Sequence, residues 1–105
     1  MYDRVRMREL YTDKELERIR LCENCHGANV DLHGLSENEA RILVNTLFIY
    51  CGNLQYIRVI HGYRKGRVLQ RMVRKVFEKY PMVEEMNVPS NNPGETVFIL
   101  KRKVA

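Results

Sequence analysis

Val30-Asp31-Leu32-His33-Gly34 is a short strand-like stretch that ends in an ionisable pair and a glycine. A helix start follows it, because Ser36 and Glu39 have the spacing of a capping box and an apolar run comes next. The same plan recurs at residues 57–62 (IRVIHG), after which a second amphipathic helix begins near Gly66. Two strand–helix units in tandem predict parallel strands joined by crossover helices, and hence an α/β fold.

The three candidate catalytic residues, Asp31, His33 and His61, all fall at the carboxyl ends of these two strands. Ligands of parallel sheets bind at that edge. Asp31 and His33 are two residues apart on a strand, so the carboxylate is expected to orient the imidazole from the same face. Two imidazoles beside one crevice are suited to share the base and acid roles of phosphodiester cleavage. With RNA the base would activate the 2′-hydroxyl, whereas DNA would need a water or a metal-bound water.

The chain of 105 residues is long enough for one domain. Residues 1–27 are predicted to be an N-terminal extension, and residues 28–105 the main domain. A capping box at residues 12–15 predicts one short helix over residues 13–21, behind a loose arm at residues 1–11.

The core order behind this extension is predicted to be βαβαββ. Its later segments are helices over residues 37–51 and 67–80 and strands over residues 83–88 and 96–100. Ile42 and Ile49 widen the apolar stripe of the first helix, which predicts that this helix is well buried.

Positive charge is concentrated in the second half of the chain. Residues 1–57 carry 7 Lys/Arg against 9 Asp/Glu, whereas residues 58–105 carry 11 against 4, for a net charge of +5. Such a basic half favours a surface that faces a polyanion, although a solvated helix face is the plain alternative. No apolar stretch is long enough to span a membrane, and the N-terminus has no signal-peptide pattern, so a cytoplasmic location is expected.

The loop at residues 62–66 (GYRKG) leads into the amino end of a helix, which is a natural phosphate site. Its basic residues add charge, and Tyr63 is placed to stack on an exposed base. A Walker pattern is absent, so nucleotide hydrolysis of that kind is not supported. The candidate nucleic-acid-binding residues are Gly34, Gly62, Tyr63, Arg64, Lys65, Gly66, Arg67, Arg71, Arg74 and Lys75.

Cys22, Cys25 and His26 form a C-x-x-C-H pattern, which is the spacing of covalent haem attachment. We do not expect haem, because that attachment requires export. Zinc is an alternative, with Cys51 or a water as the fourth ligand, although adjacent ligands such as Cys25 and His26 are geometrically awkward. A structural connection of small, half-buried side chains is the favoured interpretation. A divalent metal ion remains an open possibility as a cofactor.

The two motifs resemble those of the Smr (small MutS-related) domain family, L-D-x-H-G and H-G-x-G-x-G. Here they read as residues 30–34 (VDLHG) and 61–66 (HGYRKG), and the similarity extends from Val30 to Lys101. The resemblance implies an α+β sandwich in which a four-stranded mixed sheet packs on two helices, similar to the C-terminal domain of a bacterial translation initiation factor. It also implies nucleic-acid binding and, in several members, endonuclease activity on DNA or RNA. Arg64 replaces the usual middle glycine of the second motif.

Three functions follow from these observations. The first is an Smr-type endonuclease with Asp31, His33 and His61 at the reaction centre. The second is a non-catalytic nucleic-acid-binding module that uses the same crevice. The third is a protein-interaction domain in which the motif residues only hold the strand–helix junctions. Nucleic acid is the expected partner, no membrane is expected, and a monomer fits the sequence.

Overall fold

A five-stranded mixed sheet is the framework of the part of the chain that the structure describes. This structure is a computed structural model, and it describes residues 4–21, 26–62 and 67–101. In chain order the elements are α1 (Arg4–Leu10), α2 (Asp13–Arg18), β1 (Ile19–Leu21), β2 (Gly27–Asp31), α3 (Glu37–Tyr50), β3 (Tyr56–Ile60), α4 (Val68–Phe77), β4 (Val83–Asn87) and β5 (Glu95–Leu100). The sheet order is β1-β2-β3-β5-β4, in which β2 and β3 are parallel and the other neighbours antiparallel.

Helices α3 and α4 cover one face of the sheet. Helix α3 joins the parallel neighbours β2 and β3, and α4 joins β3 to β4. Both connections run in the same direction along the sheet, so crossovers of the usual single hand place both helices on the same side. Phe48 of α3 stacks on Phe77 of α4 with ring centroids 5.3 Å apart. Both rings meet Phe98 of β5 edge-on, and all three phenylalanines are buried. These three rings form the centre of the core.

The α/β fold class is confirmed, but the sheet has five strands where four were expected. The predicted helix over residues 13–21 ends at Arg18, and Ile19–Leu21 pairs with β2 as the edge strand β1. The reason is that Ile19 and Leu21 alternate with a polar residue, which suits a strand. Six helical residues are also too few to propagate without tertiary packing.

Two expectations about burial are also corrected. The arm predicted to be loose contains helix α1, and the side chains of Met7 and Tyr11 lie in the hydrophobic core. Tyr11 meets Tyr50 of α3 edge-on, which anchors this segment to the helical layer. In contrast, Ile42 and Ile49 are 53% and 61% exposed, because α3 has the sheet on one side only.

The capping boxes are confirmed at both predicted helix starts. Thr12 and Ser36 each accept a hydrogen bond from the backbone N–H of a glutamate three residues on, Glu15 and Glu39, and each glutamate bonds back to the cap. The hydrogen bonds from Ser36 lower the pKa of the Glu39 carboxyl. These caps fix where α2 and α3 begin, and therefore where the turn between β2 and α3 ends.

Gly27 lies where an added side chain would collide with a neighbouring aromatic ring. It is paired with Tyr56 in the parallel register, and the Tyr56 ring occupies the space that a Cβ at Gly27 would need. We expect Gly27→Ala to lower the free energy of unfolding by about 1–3 kcal/mol, because the ring must be displaced. Urea unfolding of Gly27→Ala, of Tyr56→Ala and of the double variant measures this loss of stability. A double variant that loses the full sum of the single effects would contradict the steric explanation.

Candidate nucleic-acid interface

The parallel strands β2 and β3 end side by side, and the predicted catalytic residues lie at this edge. Asp31 and Ile60 are register partners at the last position of each strand. The backbone N–H of Leu32 donates to the Ile60 carbonyl at 2.9 Å, so the alignment continues past β2. His33 follows in the next turn, and His61 comes directly after β3. We call this the carboxyl edge of the sheet.

Asp31 and His33 are linked through the backbone rather than through the imidazole. Asp31 Oδ1 accepts a hydrogen bond from the His33 backbone N–H at 3.0 Å. The distance from Oδ1 to His33 Nδ1 is 3.9 Å, which is too long for a hydrogen bond but close enough for a charge to act. The His33 side chain is 85% exposed. The carboxylate therefore fixes the turn, and the ring is left open to a ligand.

The glycine after each histidine has a backbone conformation that other residues rarely adopt. Gly34 has a φ of +81° and Gly62 a φ of +74°. No heavy atom in the described part of the chain lies within 4 Å of the position a Cβ at Gly62 would take. Glycine is thus required at both positions for the turn, and at Gly62 it leaves open space above the backbone.

His61, in contrast to His33, is buried, with both ring nitrogens hydrogen-bonded. Nδ1 lies 2.8 Å from the Gly62 carbonyl, which only accepts, so Nδ1 carries the proton. Nε2 therefore accepts from the Thr96 hydroxyl at 2.8 Å. The same hydroxyl oxygen accepts from Nε of Arg74 at 3.0 Å. This chain of hydrogen bonds joins β3, β5 and α4, and a neutral imidazole with its proton on Nδ1 satisfies every group in it.

Burial lowers the pKa of the His61 imidazole. The hydrogen bond to the Gly62 carbonyl opposes this effect, the Arg74 guanidinium adds to it, and Glu95 opposes it more weakly. The folded chain consequently binds a proton at His61 less readily than the unfolded chain, whose histidines titrate near 6.5.

We expect the free energy of unfolding to decrease as the pH falls below about 6.5, where unfolded histidine is protonated and folded His61 is not. The slope from this one group is at most about 1.4 kcal/mol per pH unit, and above that pH its contribution is constant. Chemical unfolding at pH 7.5 and 5.5, compared between the wild type and His61→Gln, isolates the effect. A stability difference between the two proteins that does not change with pH would contradict it.

Arg18 is a site residue that sequence reasoning missed. Its Nη1 donates to the Asp31 carbonyl at 3.1 Å and to the His33 carbonyl at 2.6 Å. One guanidinium thus spans the turn that presents His33. The only signal in the sequence was a basic residue in the last turn of a short helix, and a contact 13 to 15 residues away cannot be derived from that.

Helix α4 presents an exposed row of positive charge next to the carboxyl edge. Arg67, Arg71 and Lys75 are four residues apart, so they line one side of the helix, and all three are exposed. Among the described residues no side chain caps the amino end of α4, and its first turn has no acidic residue. Arg74 differs, because it is half-buried and donates to Thr96 and to the Pro93 carbonyl. The predicted basic face therefore divides into an exposed row and one structural arginine.

Comparison with known proteins supports the assignment that the motifs suggested. The sequence profile of the Smr domain matches residues 30–100, which is more than half of the chain. The chain belongs to the Smr domain family. The crystal structure of the Smr domain of Thermus thermophilus MutS2 is similar, with a TM-score of 0.62 and 27% sequence identity. The similarity covers 70% of this chain and 96% of that one. A search of curated proteins finds no match.

The Smr family is known for nucleic-acid binding and nuclease activity. The described residues of both family motifs lie at the carboxyl edge in this Smr domain, with Asp31 and His33 on one strand end and His61 and Gly62 on the other. The residues that the match to the family leaves out, before residue 30, include Arg18. An element outside the matched region therefore contacts the first motif directly.

Several predicted site residues of this Smr domain lie outside the described residues, namely Tyr63, Arg64, Lys65, Gly66, Cys22 and Cys25. His26 is exposed, and its carbonyl accepts from the backbone N–H groups of Gln55 and Tyr56. Cys51, suggested as a fourth zinc ligand, is a free thiol within the core, and burial raises its pKa to about 11. Such a thiol is a poor metal ligand, because the thiolate is the form that binds.

Neither a metal-ligand cluster nor a membrane-spanning helix is found in the described residues of the Smr domain. Across residues 4–21, 26–62 and 67–101, no group of three or more His, Cys, Asp or Glu side chains is arranged to hold a metal ion. Within the same ranges, no helix has the length and apolar content to cross a membrane.

Proposed function

We propose that this Smr domain binds nucleic acid at the carboxyl edge and cleaves a phosphodiester bond there. The observation that carries the proposal is His33, an 85% exposed imidazole on a turn that Asp31 and Arg18 hold by hydrogen bonds. The backbone N–H and carbonyl of His33 make the hydrogen bonds that hold this turn. The exposed imidazole is therefore available for proton transfer. On the adjoining helix α4, the exposed row of Arg67, Arg71 and Lys75 supplies positive charge that attracts the phosphates of the nucleic acid.

In this proposal His33 is the general base. It takes a proton from the attacking oxygen, which is the 2′-hydroxyl in RNA or a water in DNA, as that oxygen forms a bond to phosphorus. The bond between phosphorus and the leaving oxygen breaks in the same step, and solvent water, which reaches this exposed edge, protonates the leaving oxygen. The Asp31 carboxylate, 3.9 Å from Nδ1, stabilises the imidazolium that results. Predicted at first as a second catalytic histidine, His61 acts instead as a positioning residue, because both of its nitrogens are engaged. It holds Gly62 and the start of β5 at the edge.

A non-catalytic binding module is the second candidate. The observation in its favour is the same hydrogen bonding of His61, which leaves one exposed imidazole rather than two at the edge. One imidazole can take a proton, but the leaving oxygen then needs its proton from elsewhere. In this alternative the carboxyl edge binds the strand and leaves it intact.

Binding and cleavage assays on the same samples test the proposal. The probes are a labelled single-stranded RNA of about 12 nucleotides and a branched DNA duplex, each with and without EDTA. We expect affinity to fall steeply between about 0.05 and 0.2 M salt, and products to accumulate on at least one probe. Binding without products supports the second candidate. No binding to either probe would overturn both candidates and favour a protein partner.

A further inference from the structure

A shallow depression lies beside the His33 turn, on the face of the sheet opposite α3 and α4. It is lined by Arg18, Arg20, Asn29, Asp31 and Ile60. We call it the extension pocket, because two of its five lining residues come from the N-terminal extension. Its charge is two guanidinium groups against one carboxylate, which gives a net positive pocket.

The strand pairing explains why these groups meet. Arg20 of β1 is the register partner of Asn29 of β2, so both side chains project from the same face. Their neighbours Ile19 and Val30 form the next pair and contribute to the core on the other face. Arg18 stands two residues before Arg20, at the junction of α2 and β1. Strand β1 therefore brings the two arginines to the end of β2.

Several polar groups of the extension pocket are available to a ligand. Both hydrogen bonds that Arg18 donates to described residues use Nη1, which leaves Nη2 for another acceptor. Arg20 is exposed and has no hydrogen bond or ion pair with the described residues. Asn29 Oδ1 is buried and likewise has no partner among them. The two guanidinium groups, rather than the buried amide oxygen, are therefore the groups that a phosphate oxygen can reach.

We propose that Arg18 and Arg20 form a second phosphate subsite for the nucleic-acid strand that engages His33. This inference rests on the proposed function and extends it. In the sheet order, β2 lies between β1 and β3, so the extension pocket and helix α4 flank the His33 turn on opposite sides. A strand held at both places crosses the turn between them. Planar guanidinium groups are well matched to phosphate oxygens, and the pair outweighs the single Asp31 carboxylate.

The subsite lies partly outside the region matched to the family, residues 30–100, since both arginines precede it. The extension then has two parts in recognition. Arg18 holds the turn through the contacts of its Nη1 with the Asp31 and His33 carbonyls, and its Nη2 joins Arg20 in binding the strand. Nucleic acids that are long enough to reach the extension pocket should bind more tightly than those that cover only the turn.

The test compares Arg20→Gln with Lys101→Gln, because each removes one exposed positive charge. Lys101 follows the carboxyl end of β5, which is antiparallel to β3, so it lies at the opposite edge of the sheet. The probe is the labelled single-stranded RNA of about 12 nucleotides. We expect Arg20→Gln to weaken binding about fivefold at about 0.1 M salt. We also expect it to reduce the slope of log K against log[salt] by about 0.7, the value for one phosphate contact on a single strand.

Arg71→Gln, on the exposed row of α4, separates the proposed subsite from the proposed function. If the wild type binds, Arg71→Gln weakens binding and Arg20→Gln behaves like Lys101→Gln, then the subsite is overturned and the proposed function stands. If the wild type does not bind the RNA at all, both are overturned. A loss of affinity and slope in Arg20→Gln beyond that of Lys101→Gln supports the subsite. Circular dichroism spectra of all variants confirm that each is folded.

Discussion

His33→Ala is expected to reduce the rate of phosphodiester cleavage by about 10²–10⁴-fold, the usual contribution of a general base. Binding should change by less than about twofold, because the turn depends on groups that alanine retains. These are the His33 backbone N–H, which donates a hydrogen bond to Asp31, and the His33 carbonyl, which accepts one from Arg18. The measurement is a single-turnover cleavage assay with a parallel binding titration.

His26→Ala is the matched control for this substitution. His26 is also an exposed histidine, but it precedes β2 and so lies at the opposite edge of the sheet from His33. The His26→Ala variant should cleave the probe at the wild-type rate. Full cleavage by His33→Ala would show that another group accepts the proton. Equal losses of binding and cleavage would assign His33 to binding alone.

Phe48→Ala should be strongly destabilising, with a loss of about 3–5 kcal/mol in the free energy of unfolding. Phe48 is 1% exposed and its ring contacts those of Phe77, Tyr80 and Phe98, with centroids 5.2–5.5 Å away. Alanine removes the packing of α3 against both α4 and β5 and leaves a cavity between them. Urea unfolding followed by circular dichroism measures the change.

The neighbouring residue provides the control. Ile49→Ala is on the same helix, but Ile49 is 61% exposed, so its loss should be less than about 0.5 kcal/mol. Similar losses for the two variants would indicate that the buried Phe48 ring contributes no more to the stability of α3 than an exposed side chain does. Such a result would contradict the packing described for the core.

Much of the fold could be predicted because its signals are local. The capping box at Ser36 and the strand-like residues 57–60 each lie within one element, and the structure has both. Gly34 and Gly62 were predictable for the same reason, since a turn directly after a strand requires a permissive residue. The carboxyl edge followed from the order of elements.

What the sequence could not predict depends on distant contacts. Strand β1 exists because its three residues pair with β2, and a three-residue alternation is too short to outweigh a preceding helix signal. His33 and His61 look equivalent as His-Gly pairs, yet Thr96, 35 residues beyond His61, determines that one ring is buried and hydrogen-bonded. The exposure of Ile42 and Ile49 likewise depends on which side of α3 the sheet occupies.

The proposed interface at the carboxyl edge is tested most directly by locating where a nucleic acid contacts the domain. Backbone amide NMR spectra of the ¹⁵N-labelled protein, titrated with the single-stranded RNA of about 12 nucleotides, locate the contact residue by residue. We predict that the largest chemical-shift changes fall at residues 31–34, 61–62 and 67–71, around the carboxyl edge. Shifts centred instead on the exposed side of α3, at Ile42 and Ile49, or at Lys101 on the opposite edge, would contradict it.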